Sequence, residues 1–257
     1  METKENTSIF ITGAGSGMGQ LAAINVAKQG YHVAAVDINE QGLLETAKQH
    51  QNIRTFNVDV TNYDAVCEAT DKTERDLGPI ERVYNAAAIM PLGKIVEQDV
   101  EVFHQVMNIN YNGVVNVSKA ILPKLLERNK GALINFASLA GFIPILYMAA
   151  YNASKFAVVS FTEILHHENL NSDVKIRCVC PPHVKTPLLD QARETIWPNM
   201  FNQTKHLEAK EVLEAIEEAL KKKECFVFPG KNTKWMQRAR RWLPNTLWKT
   251  VHNAEGF

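Results

Sequence analysis

The stretch SIFITGAGSGMG, from Ser8 to Gly19, reads as a strand that runs into a glycine-rich turn and then into a helix. Ser8 to Thr12 form a short apolar run. Beyond Gly13, Ala14, Gly15, Ser16, Gly17, Met18 and Gly19, the apolar residues Leu21, Ala22, Ile24, Val26 and Ala27 recur at helical spacing toward Gly30. Glycines permit a tight turn and close backbone approach, and a helix N-terminus offers free N–H groups and a positive dipole end to a pyrophosphate. Such a turn also suits a plain strand-to-helix connection, so its neighbours decide.

The next strand, His32 to Val36, delivers Asp37 about 20 residues past the glycines, where a carboxylate can bind both hydroxyls of an adenosine ribose and repel a 2′-phosphate. Ile38 follows, with no Arg or Lys there and none at Ser16, which favours NAD over NADP. A third strand, Arg54 to Val60, ends in Asp59-Val60; Thr61 is the expected N-cap of a helix that runs to Leu77 and stops at Gly78-Pro79. A fourth, Glu81 to Tyr84, leads into Asn85-Ala86-Ala87-Ala88, small residues against which a cofactor can lie. This alternation predicts an α/β fold: one doubly wound Rossmann-type domain, a parallel sheet with helices on both faces and ligands at the carboxyl ends of its strands.

Further on, Asn108 to Gly113 opens a long helix with Asn110 at its beginning, and the strand Ala132 to Phe136 leads to Ser138. Tyr151 begins another helix, and Lys155, four residues on, shares its face. A free phenol has a pKa of about 10, so bringing it near 7 needs about 4 kcal/mol of differential stabilisation. An ammonium one turn away is the simplest source. Val174 to Val179 is a further strand, and it leaves through Pro181-Pro182-His183-Val184-Lys185-Thr186.

Together these pieces resemble a short-chain dehydrogenase/reductase of the single-domain type: TGAGSGMG at 12–19, Asp59, NAAA at 85–88, Asn110, Ser138, YNASK at 151–155 and PPHVKT at 181–186. Order and spacing agree with the family from about Ser8 to Phe228. The resemblance implies Tyr151 as general acid/base, Lys155 as the group that lowers its pKa and holds the nicotinamide ribose, and Ser138 as the orienter of the substrate oxygen. It implies that Asn110 supports a water leading protons to Lys155. It also implies a cofactor site built from Gly13, Ser16, Gly17, Met18, Gly19, Asp37, Ile38, Asp59, Val60, Asn85, Tyr151, Lys155, Pro181, Val184 and Thr186. The reaction implied is NAD-dependent exchange of a secondary alcohol and a ketone, in a homodimer or homotetramer. Two departures stand out: Ala86 and Ala88 replace the family's Asn and Gly, and Pro181-Pro182 replaces its Pro-Gly, removing an N–H beside the nicotinamide.

The chain has 257 residues with 28 basic and 28 acidic, so bulk charge gives no case for nucleic-acid binding. Cys67, Cys178, Cys180 and Cys225 form no CxxC pair and have no His at metal-ligand spacing, which fits reduced cytoplasmic thiols and no metal site. The polar start, METKENTSIF, predicts no signal peptide. Gly131 to Ser154 lacks charge, but Asn135, Ser138, Gly141, Pro144 and Asn152 read as strand, loop and helix start, not a membrane span. Substrate contacts are expected from Met90, Pro91 and Leu92, from Phe142 to Met148, and from an apolar lid over 187–204; His183 is a further candidate, whereas His166 and His167 lie too far along their helix. Residues 231–257 form a separate extension with six Lys or Arg, one acid and three of the four tryptophans. That composition suits an interfacial helix on a membrane, or an arm packed on a neighbouring subunit or over the active site.

Overall fold

In a computed structural model, which describes residues 6–193, 196–203 and 206–256, the sheet has seven parallel strands. The first five residues, and positions 194, 195 and 204 of the expected lid, lie outside the described residues. The strands are β1 (Ser8–Thr12), β2 (His32–Asp37), β3 (Ile53–Asn57), β4 (Ile80–Asn85), β5 (Ala132–Phe136), β6 (Lys175–Val179) and β7 (Phe226–Val227), in the order β3-β2-β1-β4-β5-β6-β7. The order reverses between β1 and β4, and the carboxyl ends of strands flanking such a reversal form a crevice.

Side-chain alternation along β1 assigns the two layers. Ile9 and Ile11 join one core cluster with α1 (Gly17–Lys28), α2 (Glu40–Ala47) and α8 (Ala209–Ala219), while Phe10 joins another with α3 (Tyr63–Leu77) and α5 (Gly113–Glu127). Every residue of β1 and β5 is buried, as expected of strands covered on both faces. The remaining helices are α4 (Val100–Met107), α6 (Ala149–Glu168), α7 (Leu188–Arg193), α9 (Thr233–Trp242) and α10 (Pro244–Glu255). The uncharged stretch 131–154 is strand, loop and helix start, and among the described residues no helix is long and apolar enough to cross a membrane.

Local chemistry moves several boundaries. β3 stops at Asn57, because the Asp59 carboxylate accepts a hydrogen bond from Thr61 N at 2.8 Å and turns the chain. The cap of α3 is Asn62, whose Oδ1 accepts from Ala65 N at 3.1 Å, not Thr61. The helix expected from Asn108 starts a full element earlier: α4 passes through a π-helical turn, Asn108–Asn112, into α5. Asn110 therefore sits inside a widened helix and not at the head of one, and α6 begins at Ala149, two residues before Tyr151.

Arg177 on β6 is 2% exposed and closes the end of α8: Nε donates to Ala219 O at 3.1 Å, one terminal nitrogen donates to Lys222 O, and the other donates to Ile176 O at 2.9 Å. Its cation meets the negative end of the helix. Arg177→Ala removes three hydrogen bonds from a charged donor, leaving Ala219 O with the Lys222 N–H at 3.1 Å, and opens a void in place of a buried side chain, so it should cost about 3 kcal/mol of unfolding free energy in urea titrations. A loss below about 1 kcal/mol would mean that water replaces the guanidinium.

Candidate active site

The glycine turn is dictated by sterics. Gly13 has φ +68°, and a Cβ there would lie 2.9 Å from the Ala86 carbonyl carbon; a Cβ on Gly19 would lie 2.1 Å from Gly13 O. With no side chains in the way, β1 and β4 approach closely and α1 starts beside them. The resulting crevice, about 150 Å³, is lined by Gly13, Ser16, Gly17, Met18 and Gly19 from the turn, by Asp37, Ala86 and Ala88, and by Thr186 to Leu188. Thr12 Oγ1, which the sequence reading passed over, accepts from Ala86 N at 3.0 Å and Ala87 N at 3.2 Å and pins the loop after β4.

Asp37 is already oriented, because its Oδ2 accepts from Gly15 N and its Oδ1 from Asn39 N, each at 2.9 Å. Ile38 beside it is 66% exposed. Not every expected cofactor residue reaches the crevice or the cavity beside it. Ile38 and Asp59 are exposed outside them, Val60 is buried against Gly113, where a Cβ would come within 2.6 Å of Val60 Cγ2, and Lys155, 2% exposed, lies behind Tyr151 and lines neither. Asn85 is 1% exposed, and its side chain accepts from Thr12 Oγ1 and donates to Val114 O and Asn135 Oδ1.

The four expected catalytic residues arrive on three elements. Ser138 follows β5 and caps a single 3₁₀ turn, its Oγ accepting from Ala140 N at 3.1 Å. Tyr151 and Lys155 lie on the buried face of α6 at 6% and 2% exposure, with Nζ 5.5 Å from the phenol ring centroid. Asn110 is fully buried; its Oδ1 accepts from Ile89 N and its Nδ2 donates to Ile89 O, both at 2.9 Å, and to Ser154 Oγ at 3.1 Å. That side chain is engaged by protein groups, so it positions the loop after β4 against α6. Asn152, inside the YNASK motif but with no role expected of it, does the same for the Ser138 loop: its Nδ2 donates to Ala140 O and Ile143 O and its Oδ1 accepts from Ile145 N.

The electrostatics of Tyr151 differ from the expectation. Burial raises the Tyr151 phenol to about 12, a shift that its hydrogen bond with Ser138 opposes. Burial also lowers Lys155 to about 8, and Nζ donates to Phe136 O at 2.8 Å. The ammonium is held close, but desolvation dominates both groups.

Next to the crevice a cavity of about 550 Å³ opens over Ser138 and Tyr151. Its walls are mainly apolar: Met90, Ile143, Ile145 and Met148 from the loops, Leu188, Leu189, Met200 and Phe201 from the expected lid, and Met236 from α9. Pro181, His183 and Val184 complete the rim, whereas Pro91, Leu92 and Phe142 do not line it. His183 packs on Phe201 with ring centroids 3.9 Å apart, and burial lowers it to about 4, so it is neutral at physiological pH. The extension forms part of this enclosure, which composition alone could not show. Met18, Thr186 and Leu188 line both spaces, so crevice and cavity meet there.

A family model described as short chain dehydrogenase matches residues 7–197. The chain belongs to the short-chain dehydrogenase/reductase family. Among its relatives is 2,3-dihydro-2,3-dihydroxybenzoate dehydrogenase of Bacillus subtilis, 32% identical over 188 residues that cover 72% of each chain. A short-chain dehydrogenase/reductase from Burkholderia phymatum, solved in complex with NAD, superposes with TM-score 0.85 at 25% identity and 96% coverage of both chains. A variant of actinorhodin polyketide ketoreductase, solved with NADPH, superposes at 0.81 with 26% identity, covering 91% of this chain and 99% of that one.

Burial of the Lys155 ammonium is expected to cost the cofactor-free protein stability. Lys155 falls from 10.5 to about 8 on folding, which corresponds to about 3 kcal/mol of destabilisation at neutral pH. Lys155→Met removes that penalty and loses one hydrogen bond to Phe136 O, so the cofactor-free variant should gain about 2 kcal/mol. The unfolded chain holds the extra proton between about pH 8 and 10.5, so wild-type stability should rise relative to the variant across that window. A flat difference between the two proteins would show that the site is already hydrated.

Proposed function

We propose that this short-chain dehydrogenase interconverts an apolar secondary alcohol and its ketone with NAD, Tyr151 acting as general acid/base. The observation that carries the reading is the shared wall of crevice and cavity: Met18 and Thr186 face both, and Ser138 and Tyr151 lie on the cavity side of that junction. A cofactor whose pyrophosphate lies at the glycine turn and whose ribose meets Asp37 fits this layout, with its reactive ring toward the junction. When bound, NAD supplies the hydride acceptor and a positively charged ring.

The protein's own groups handle the proton. In the oxidising direction the Tyr151 oxygen takes the hydroxyl proton while Ser138 Oγ holds the same substrate oxygen. Lys155 stabilises the phenolate and donates to ribose hydroxyls with the donors that Phe136 O leaves open. Asn110 keeps the loop after β4 in register with α6 through its side chain, and from the π turn it would support a water that leads protons to Lys155. Asp37 disfavours the phosphate of NADP, which makes an NADPH-dependent carbonyl reductase the weaker alternative.

Met90, Leu189 and Phe201 around the reacting carbon favour a substrate with apolar substituents. The lid, its apolar side chains packed over Tyr151, and the extension behind it belong to the same catalytic unit. The exposed stripe Phe156 and Ile164 on α6 supports pairing into a homodimer or homotetramer. The deciding experiment is a panel of polar and apolar secondary alcohols with NAD or NADP, and ketones with NADH or NADPH, followed by cofactor absorbance. Turnover of apolar alcohols with NAD is expected. Turnover confined to NADPH and ketones would overturn the cofactor assignment, and no turnover of any pair would overturn the enzyme reading.

A further inference from the structure

The helix pair after β7 has two faces that do different work. Inward, Thr233 is 3% exposed with its hydroxyl donating to Pro229 O, and Met236 reaches the cavity wall. α10 fixes the pair in place: the Glu255 carboxylate accepts from Asn199 N at 3.1 Å and Met200 N at 2.8 Å, and Val251 is buried. The outer face of α9 therefore points away from the cavity and is displayed.

That face carries Trp235 and Trp242, seven residues apart and so on one stripe, 67% and 78% exposed, with Leu243 beside them at 52%. Lys234, Arg238 and Arg241 are exposed along its flank. From Lys231 to Trp242 there are five cations and no acid, and the ion pair recorded for Lys234, with Glu224, spans 3.9 Å. Two exposed indoles are costly to leave in water unless something covers them. A second copy of the chain paired through this face about a two-fold axis would bring the cations of both copies together. An anionic bilayer accepts both features, with indoles at headgroup level and cations against lipid phosphates.

We propose that the outer face of α9 docks on an anionic lipid surface, bringing the side of the cavity lined by Lys231 and Asn232 toward the lipid. The docking stands on α9 alone. Only its use, admitting an apolar substrate from the lipid, rests on the function proposed above.

The test uses the full-length protein without cofactor or substrate, so its outcome is independent of the redox reading. Sedimentation with phosphatidylglycerol/phosphatidylcholine vesicles is expected at low salt, with a blue shift of tryptophan emission, and none with phosphatidylcholine alone. Binding should fall at least about tenfold as salt shortens the Debye length from roughly 10 Å to 3 Å. Trp235→Ser with Trp242→Ser, and separately Arg238→Glu with Arg241→Glu, should each lower binding about tenfold or more while leaving the far-UV circular dichroism and the thermal midpoint unchanged. Absence of binding to anionic vesicles, or full binding by either double variant, overturns the proposal. So does a lipid-free oligomer that the tryptophan substitutions dissociate, because a second copy would then be what covers the face.

Discussion

Tyr151→Phe should reduce kcat on the order of 10³-fold or more while leaving the NAD dissociation constant within a few fold. Only the phenolic oxygen is removed; the ring remains in the cluster with Met90, Met148 and Phe201. With its pKa raised to about 12 by burial, the phenol is protonated at neutral pH, so it serves as an acid toward a ketone and must lose its proton before serving as a base. Alcohol oxidation should therefore accelerate as pH rises, because the fraction of phenolate grows. The residual rate of the Phe variant should lose that alkaline limb. Stopped-flow measurement of NADH formation across pH, with NAD binding followed by fluorescence, separates the chemical role from cofactor binding. A variant with near-wild-type kcat and the same pH profile would remove Tyr151 from the reaction.

Much of this site is readable in the sequence because steric and register constraints act locally. A Cβ at Gly19 would collide with Gly13 O, so the glycine turn needs its glycines wherever the strand and helix meet this way. Tyr151 and Lys155 share a face through simple helical geometry. Apolar runs such as Ser8–Thr12 and Ala132–Phe136 mark strands buried on both sides.

What stays hidden depends on contacts between distant segments. The π turn at Asn108–Asn112 adds a residue to the helical period, so the apolar pattern of Val114, Val117 and Ile121 reads back only to Asn108 and α4 is lost. Asn152 looks like any polar helix residue until the Ser138 loop folds onto it; its signal is an amide on the same buried helix as Tyr151 and Lys155. The sequence offers one charge beside the phenol, whereas burial raises its pKa against the hydrogen bond with Ser138. Likewise the amphipathic character of 233–242 was plain, but nothing local says that Met236 reaches the cavity. The membrane and active-site readings of this extension do not exclude each other, because each concerns a different face of α9.

Replacing Asp37 with Ala and Ile38 with Arg should shift cofactor preference from NAD toward NADP by on the order of 100-fold or more in kcat/KM. Asp37 sits at the tip of β2 with each oxygen held by one backbone N–H, so it cannot swing away from a 2′-phosphate without giving up both bonds. It retains lone pairs to accept from ribose hydroxyls. Removing it abolishes a repulsion and a pair of acceptors at once. An arginine at 38, where the isoleucine is 66% exposed, can reach a phosphate without entering the core. Each change contributes about 1.5 to 3 kcal/mol to discrimination, as expected for hydrogen bonds to charged groups. Because Gly15 N and Asn39 N lose an acceptor, the Asp37→Ala component should also loosen the glycine turn and weaken both cofactors somewhat, so the ratio is the quantity to measure. Steady-state kinetics with each cofactor and one alcohol decide the matter. If the unaltered protein already prefers NADP, Asp37 does not face the ribose, and the orientation proposed for the cofactor in the crevice is wrong.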